Sequence, residues 1–280
     1  MVHSKDLGPI ATALRDRVRK DEAQYGRSDK ETDSLWEHLE RVSQFAERLG
    51  QSEGVDPSIC RLAGWFHDAG KFAGGRYHAD ERPEEEHSIE CLHKLGGEHG
   101  IETGVIEQVA EAILQLYRDD PEPSPLARVL FDADNLDKLG PLGVANYFAK
   151  VGLRGGGVSP ETLHRLTVEL TYARHAPQCL LTESGRGLAG QRASATIRFV
   201  TDLIHTLRED GLYDFRIEEV DFNGLTLDVV SPAACRCGGK LGRRIWEVPG
   251  MKCSEIHLKH SCEACEKSQE LRFCRPRLNS

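Results

Sequence analysis

His67 and Asp68 stand side by side in GWFHDAGKFAGG (64–75), at the end of an apolar stretch with helical spacing. Adjacent helical residues project about 100° apart, close to the right angle between neighbouring ligands of an octahedral ion, so the pair could fill two cis positions on one metal. Taken alone, the doublet also reads as a helix-end histidine with a capping aspartate. Further ligand types stand on two other predicted helices. His38 lies in DSLWEHLERVSQFAERLG with Arg41 one turn later, and LFDADNLDKLG sets Asp132, Asp134 and Asp137 among Val129, Leu130, Phe131 and Leu136. Carboxylates in an apolar helix are costly unless paired or metal-bound. Such a centre would turn water into a nucleophile and polarise an oxygen of a bound substrate.

The elements that must position these residues are helical from about residue 9 to 212. Leu35, Leu39, Val42, Phe45, Ala46 and Leu49 form one stripe, with Asp33 or Ser34 as N-cap and Gly50 as the expected stop. The same spacing predicts helices in DPSICRLAGWFHDAG, PEEEHSIECLHKLG, TGVIEQVAEAILQLY, SPLARVLFDADNLDKLG, PLGVANYFAKVG, SPETLHRLTVELTYARH and GLAGQRASATIRFVTDLIHTLRED. After Gly211 the texture changes. FRIEEV and LTLDVV, joined by DFNG, read as a hairpin with Asn-Gly in its turn, and RRIWEV, EIHLKH and ELRFC as further short strands. The expected division is a helical domain over 1–212 and a small β-rich module over 213–280, within a mainly α fold.

Charge and cysteine follow that division. The chain of 280 residues carries a net charge of −9, with 39% hydrophobic and 29% charged residues, a globular composition. Residues 231–280 hold ten Lys/Arg against five Asp/Glu, so the remainder is strongly acidic. Six of the nine cysteines fall in those last 50 residues. No apolar run reaches the roughly 18 residues of a membrane span, and the first residues lack a signal-peptide core, so a cytoplasmic location without a membrane partner is expected. In that compartment a cysteine cluster points to metal rather than to disulfides.

EHLERV, GWFHDAGK and DADNLDKLG together resemble the local motifs of the HD superfamily of metal-dependent phosphohydrolases, over about residues 25–210. ESGRGLAGQRASATIRFVTDLI is similar to the last helix of a small stand-alone bacterial subgroup. The resemblance implies an HD helical bundle in which His38, His67, Asp68 and Asp134 bind one divalent ion: Mn, Fe, Zn, Co or Mg. It selects Asp134 over Asp132, leaving Asp132 and Asp137 as capping or supporting residues. It also implies a phosphate-neutralising role for Lys71, against a plain loop lysine, and a place near the metal for His87. Arg41 could meet a phosphate or form a structural ion pair. Dinuclear members carry another histidine on the next helix, where this chain has Gln115 and Tyr117. That departure favours a mononuclear hydrolase over a di-iron oxygenase.

In the tail, Cys235 and Cys237 form one knuckle and Cys262 and Cys265 another, four thiolates suited to tetrahedral zinc in a zinc-ribbon-like module. Cys253, Cys274, His257 and His260 are spare ligands, and an iron–sulfur cluster is the alternative occupant. The expected function is hydrolysis of a phosphoester or phosphoanhydride of a phosphorylated small molecule, a nucleotide foremost, with Asp68, Lys71 and His87 catalytic and Arg41, Lys71 and His87 binding substrate. The other class of reading is a nucleotide-sensing or nucleic-acid-binding regulator, with nucleic acid meeting the basic tail.

Overall fold

The computed structural model describes residues 7–26, 34–76, 82–118, 122–153, 155–250 and 253–278. By packing, the chain forms two compact units, residues 1–137 with 181–185, and residues 138–180 with 186–280. The expected boundary at 212/213 falls inside the second of these units. The change of texture after Gly211 is a change of secondary structure inside the second unit.

The first unit holds α1 (Gly8–Gly26), α2 (Ser34–Glu53), α3 (Pro57–Phe66), α4 (Glu84–Glu98), α5 (Thr103–Arg118) and α6 (Pro125–Asp137). α2 packs along both α3 and α6, with Leu39, Val42, Leu49, Leu62, Phe66 and Leu130 among the buried side chains. α3 starts on Asp56, which accepts from Ser58 N and Ile59 N ahead of Pro57. α6 starts on Ser124, whose Oγ accepts from Ala127 N at 3.2 Å ahead of Pro125. Proline at the first helical position loses no hydrogen bond and is preset for the turn. Two residues were expected to cap α2. Asp33 lies outside the described residues, and Ser34 donates its hydroxyl to Glu22, whose other oxygen accepts from Leu35 N at 3.1 Å, so a carboxylate of α1 serves that helix end.

Gly50 is likewise not the stop of α2. The helix runs on to Glu53, and Gly54 takes the left-handed conformation (φ +73°) that ends it. Gly50 serves a close approach instead: a Cβ there would lie 2.4 Å from Cys60 Sγ of α3. At the other end of the same interface a Cβ on Gly64 would lie 2.4 Å from Ser43 Cα. Because backbone cannot yield as a side-chain tip can, Gly64→Ala should cost about 3 kcal/mol by overpacking, read as a lowered urea midpoint with an unchanged m-value. A midpoint equal to wild type would show that the α2–α3 contact is looser than this.

The second unit holds α7 (Gly140–Leu153), α8 (Pro160–Cys179), the body of α9 (Glu183–Glu209), and strands β1 (Phe215–Phe222), β2 (Leu225–Pro232), β3 (Leu241–Val248), β4 (Glu255–Cys262) and β5 (Ser268–Cys274). β1 and β2 form the expected hairpin, with Asn223 and Gly224 at φ 49° and 76° in its turn. β3, β4 and β5 form a separate antiparallel sheet in chain order. β2 lies against α8, where Thr167 and Thr171 accept from the backbone N–H groups of Val230 and Asp228 at 2.9 and 3.1 Å. His164 Nδ1 donates to Val230 O at 2.6 Å and His175 Nε2 to Thr226 O at 2.8 Å. A helix thereby satisfies a strand edge that would otherwise be unpaired.

Candidate metal centres

α2, the end of α3 and α6 bring His38, His67 and Asp134 together: one donor atom from each lies within 4.8 Å of the others. α3 ends at Phe66, and His67 caps it with helical dihedrals (φ −56°, ψ −40°), so the doublet sits at the helix end as expected. Asp134 Oδ1 lies 3.7 Å from His38 Nε2 and 3.8 Å from His67 Nε2. Asp68 Oδ2 faces the same two nitrogens at 3.7 and 3.8 Å.

Hydrogen bonds fix how both imidazoles present themselves. His67 Nδ1 lies 2.8 Å from Gly64 O, so that nitrogen carries the proton and Nε2 offers its lone pair. His67 is fully buried, and its Nε2 has no hydrogen-bond partner among the described residues. An orphaned buried acceptor is what a metal ligand looks like without its ion. His38 Nδ1 donates to Asp137 Oδ2 at 2.9 Å, which likewise aims Nε2 at the two carboxylates. Asp137 is held in turn by Arg41, at 2.6 Å from Nε and 3.1 Å from Nη2. This is the carboxylate–histidine arrangement that orients metal-binding imidazoles.

The electrostatics favour a cation. Burial lowers the His67 pKa, but Asp68 and Asp134 outweigh it and hold it above its ordinary value. Burial pushes Asp68 up, but Lys71, His67 and His38 together hold its carboxyl well below the usual range. Asp137 is also raised by burial, yet its bonds from His38 and Arg41 bring it down to about 2. A depressed carboxylate stabilises the fold above its unfolded pKa, so Asp137's contribution is complete above its ordinary value of 3.8 and is lost as pH falls from there through about 2.

The other expected site residues are placed as follows. Lys71 contacts Asp68 Oδ2 directly, with Glu84 Oε1 at 3.7 Å. Glu84 was not singled out from the sequence. It opens α4 within an acidic triplet, and burial, then the nearby Asp68, push it up to about 7 despite Lys71. His87 is buried one turn later and accepts from Arg82 at its Nδ1, 3.2 Å away; it is not one of the clustered ligand atoms. Asp132 accepts from Leu181 N, Thr182 N and Thr182 Oγ1, at 2.8, 2.8 and 2.6 Å, and so anchors the start of α9. Gln115 is occupied structurally: its Oε1 accepts from Ser124 N at 2.9 Å. The side chain of Tyr117 lies outside the described residues.

The tail forms a second cluster. Cys235, Cys237, Cys262 and Cys265 place one sulfur each within 4.8 Å of the others, with 3.7 Å between Cys235 and Cys265 and 3.5 Å between Cys237 and Cys262. Sulfurs about 2.3 Å from a tetrahedral ion stand about 3.8 Å apart, so the four fit zinc. Backbone N–H groups of Ala264 and Cys265 draw the Cys262 thiol down to about 6, toward the thiolate a metal needs. The spare ligands are corrected. Cys253 and Cys274 form a disulfide, His257 Nδ1 pairs with Glu270 at 3.1 Å, and His260 Nε2 accepts from Arg243 at 3.2 Å.

The HD domain family model matches residues 35–139. No curated protein matches the chain. Among solved structures, Bacillus subtilis YpgQ in complex with ADP is 22% identical, covering 71% of this chain and 95% of its own, with a TM-score of 0.52. A Lactobacillus plantarum protein is 19% identical over 75% of this chain and 100% of its own, with a TM-score of 0.53. An HD-superfamily hydrolase from Bacillus thuringiensis is 19% identical over 71% of this chain and 98% of its own, with a TM-score of 0.48. No helix among the described residues is long and apolar enough to cross a membrane. Residues 35–139, with two histidines and two carboxylates converging from three helical segments, are an HD domain, and the chain adds to it a C-terminal β-rich region that carries a four-cysteine cluster.

Proposed function

We propose that the chain is a cytoplasmic metal-dependent phosphohydrolase acting on a phosphoester or phosphoanhydride of a small molecule, foremost a nucleotide. The observation that carries this reading is the pair of imidazoles whose Nδ1–H groups are both spoken for, leaving Nε2 of His38 and His67 facing Asp68 and Asp134. His38, His67, Asp68 and Asp134 would hold one divalent cation of the Mn, Fe, Zn, Co or Mg class. A bound ion would supply an acidified water and charge stabilisation at phosphorus. Lys71 contacts Asp68 and would supply a counter-charge to a phosphate oxygen, while Arg41 is committed to Asp137 and would act by holding it. His87, kept in place by Arg82, flanks the Lys71 loop: a Cβ on Gly70 would lie 2.5 Å from His87 Cβ. The ADP complex of YpgQ supports nucleotides as the first substrates to screen.

The tail cysteines would hold zinc. The test is elemental analysis of protein purified without chelators, followed by phosphate release from a nucleotide panel with each divalent metal. Saturable nucleotide binding without turnover in every metal would replace the enzyme by a nucleotide sensor. Asp137→Asn should weaken divalent-metal affinity at the HD site 10- to 100-fold, roughly the cost of losing a carboxylate that orients a ligand, as read by calorimetric titration. Unchanged affinity would mean that His38 is oriented without it.

A further inference from the structure

The β3–β4–β5 sheet has one buried face and one outward face, and the outward one is chemically unusual. Ile245, Ile256 and Leu258 point into a core shared with Leu225, Leu227 and Val229 of β2. Strand alternation therefore turns Arg244, Trp246 and Lys259 the other way. Arg244 pairs in register with Lys259 of the neighbouring strand. Like charges directly opposite destabilise a sheet. Among the described residues neither has an acidic side chain within ion-pair distance. Glu270, which faces Lys259 from β5, is taken by His257 and Arg272 at 3.1 and 2.7 Å.

Trp246 adjoins this cation pair. The Arg244 guanidinium lies 5.3 Å from its ring centroid, and the His257 ring packs 5.0 Å away at 33°. Trp246 is partly exposed, and its indole N–H has no hydrogen-bond partner among the described residues. An uncompensated pair of cations beside a supported, part-exposed ring matches a phosphate next to an unstacked base. The charge of the region fits as well, with ten Lys/Arg against five Asp/Glu over residues 231–280. We propose that this sheet face binds single-stranded nucleic acid, with one phosphate bridging Arg244 and Lys259 and a base stacking on Trp246. A duplex keeps its bases stacked on one another and offers the ring nothing.

The test is fluorescence anisotropy of a labelled oligothymidylate with the full chain across a KCl titration. Arg244→Gln/Lys259→Gln should weaken binding about tenfold and flatten the log–log salt dependence by about 1.4, as expected for two lost cation–phosphate contacts on a single strand. Trp246→Ala should weaken binding roughly fivefold or more, as for one lost stacking partner, with the salt slope retained. All three positions are outward-facing, and circular dichroism with tail-metal content verifies folding. No saturable binding by the wild type at low salt, equal affinity in the double variant, or equal affinity for a duplex would overturn the proposal. Tighter, variant-sensitive binding to phosphatidylserine vesicles or polyglutamate would overturn it too. Hydrolysis of a small phosphomonoester should be unchanged in all these variants, so failure here leaves the phosphohydrolase reading standing.

Discussion

His67→Ala should reduce metal-dependent phosphate release at least ~10³-fold, a loss of about 4 kcal/mol of transition-state stabilisation. The expectation rests on the position of one atom. His67 Nε2 is fully buried, has its proton-bearing partner nitrogen fixed on Gly64 O, and faces both Asp68 and Asp134. Without it, the remaining donors are His38 and two carboxylates, and Asp68 is already drawn toward Lys71. Removing a buried ring also leaves a cavity, so a companion is needed. Asp134→Asn keeps the volume at a side chain that is 16% exposed, and should lose turnover to a similar degree with the helical circular dichroism intact. Wild-type turnover in Asp134→Asn, with metal still bound, would remove the HD site from the chemistry.

Local signals carried the helical half of this fold well, because its information lies within single turns: Asp56-Pro57, Ser124-Pro125 and Ser159-Pro160 each announce a helix start that the structure realises. The convergence of His38, His67, Asp68 and Asp134 was legible for a related reason, since His67-Asp68 and Asp134 sit in short distinctive strings. Gly50 misled because a glycine near a helix end is read as a stop, whereas its cause is a neighbour far along the chain, Cys60 Sγ on the facing helix. Glu84 was invisible for the same kind of reason. Its environment is made by Lys71 and Asp68, and a run of three glutamates gives no hint which one turns inward.

The placement of α8 shows a further limit of periodicity. His164, Thr167, Thr171 and His175 recur every three or four residues, which resembles a solvent-facing stripe. They are buried, and they serve the backbone of β2. A polar stripe that pairs a strand edge and one that meets water look alike in sequence, so the core that α7, α8 and α9 share with Phe215 and Val230 was not legible there.

Cys262→Ser/Cys265→Ser should remove one tail metal per chain and raise amide exchange of residues 241–274 by at least ~100-fold. The sheet has few apolar side chains of its own, Ile245, Ile256, Leu258 and Phe273 packing against β2 residues and Val220 and Phe222. Its ends are tied by sulfur instead. The cysteine cluster joins the loop before β3 to the β4–β5 turn, and Cys253–Cys274 closes the other end of β4 and β5. Structural zinc in small modules supplies about 10–16 kcal/mol of apparent binding free energy, comparable to the whole stability of a typical domain. Even a fraction of that exceeds the roughly 2.7 kcal/mol that a 100-fold exchange change represents. Cys179→Ser, which removes a buried cysteine of α8 far in sequence from both knuckles, controls for loss of a thiol as such and should retain the metal. Full exchange protection in the double variant would show that the β2 packing alone holds the sheet, and retained metal would show that Cys235 and Cys237 recruit other ligands.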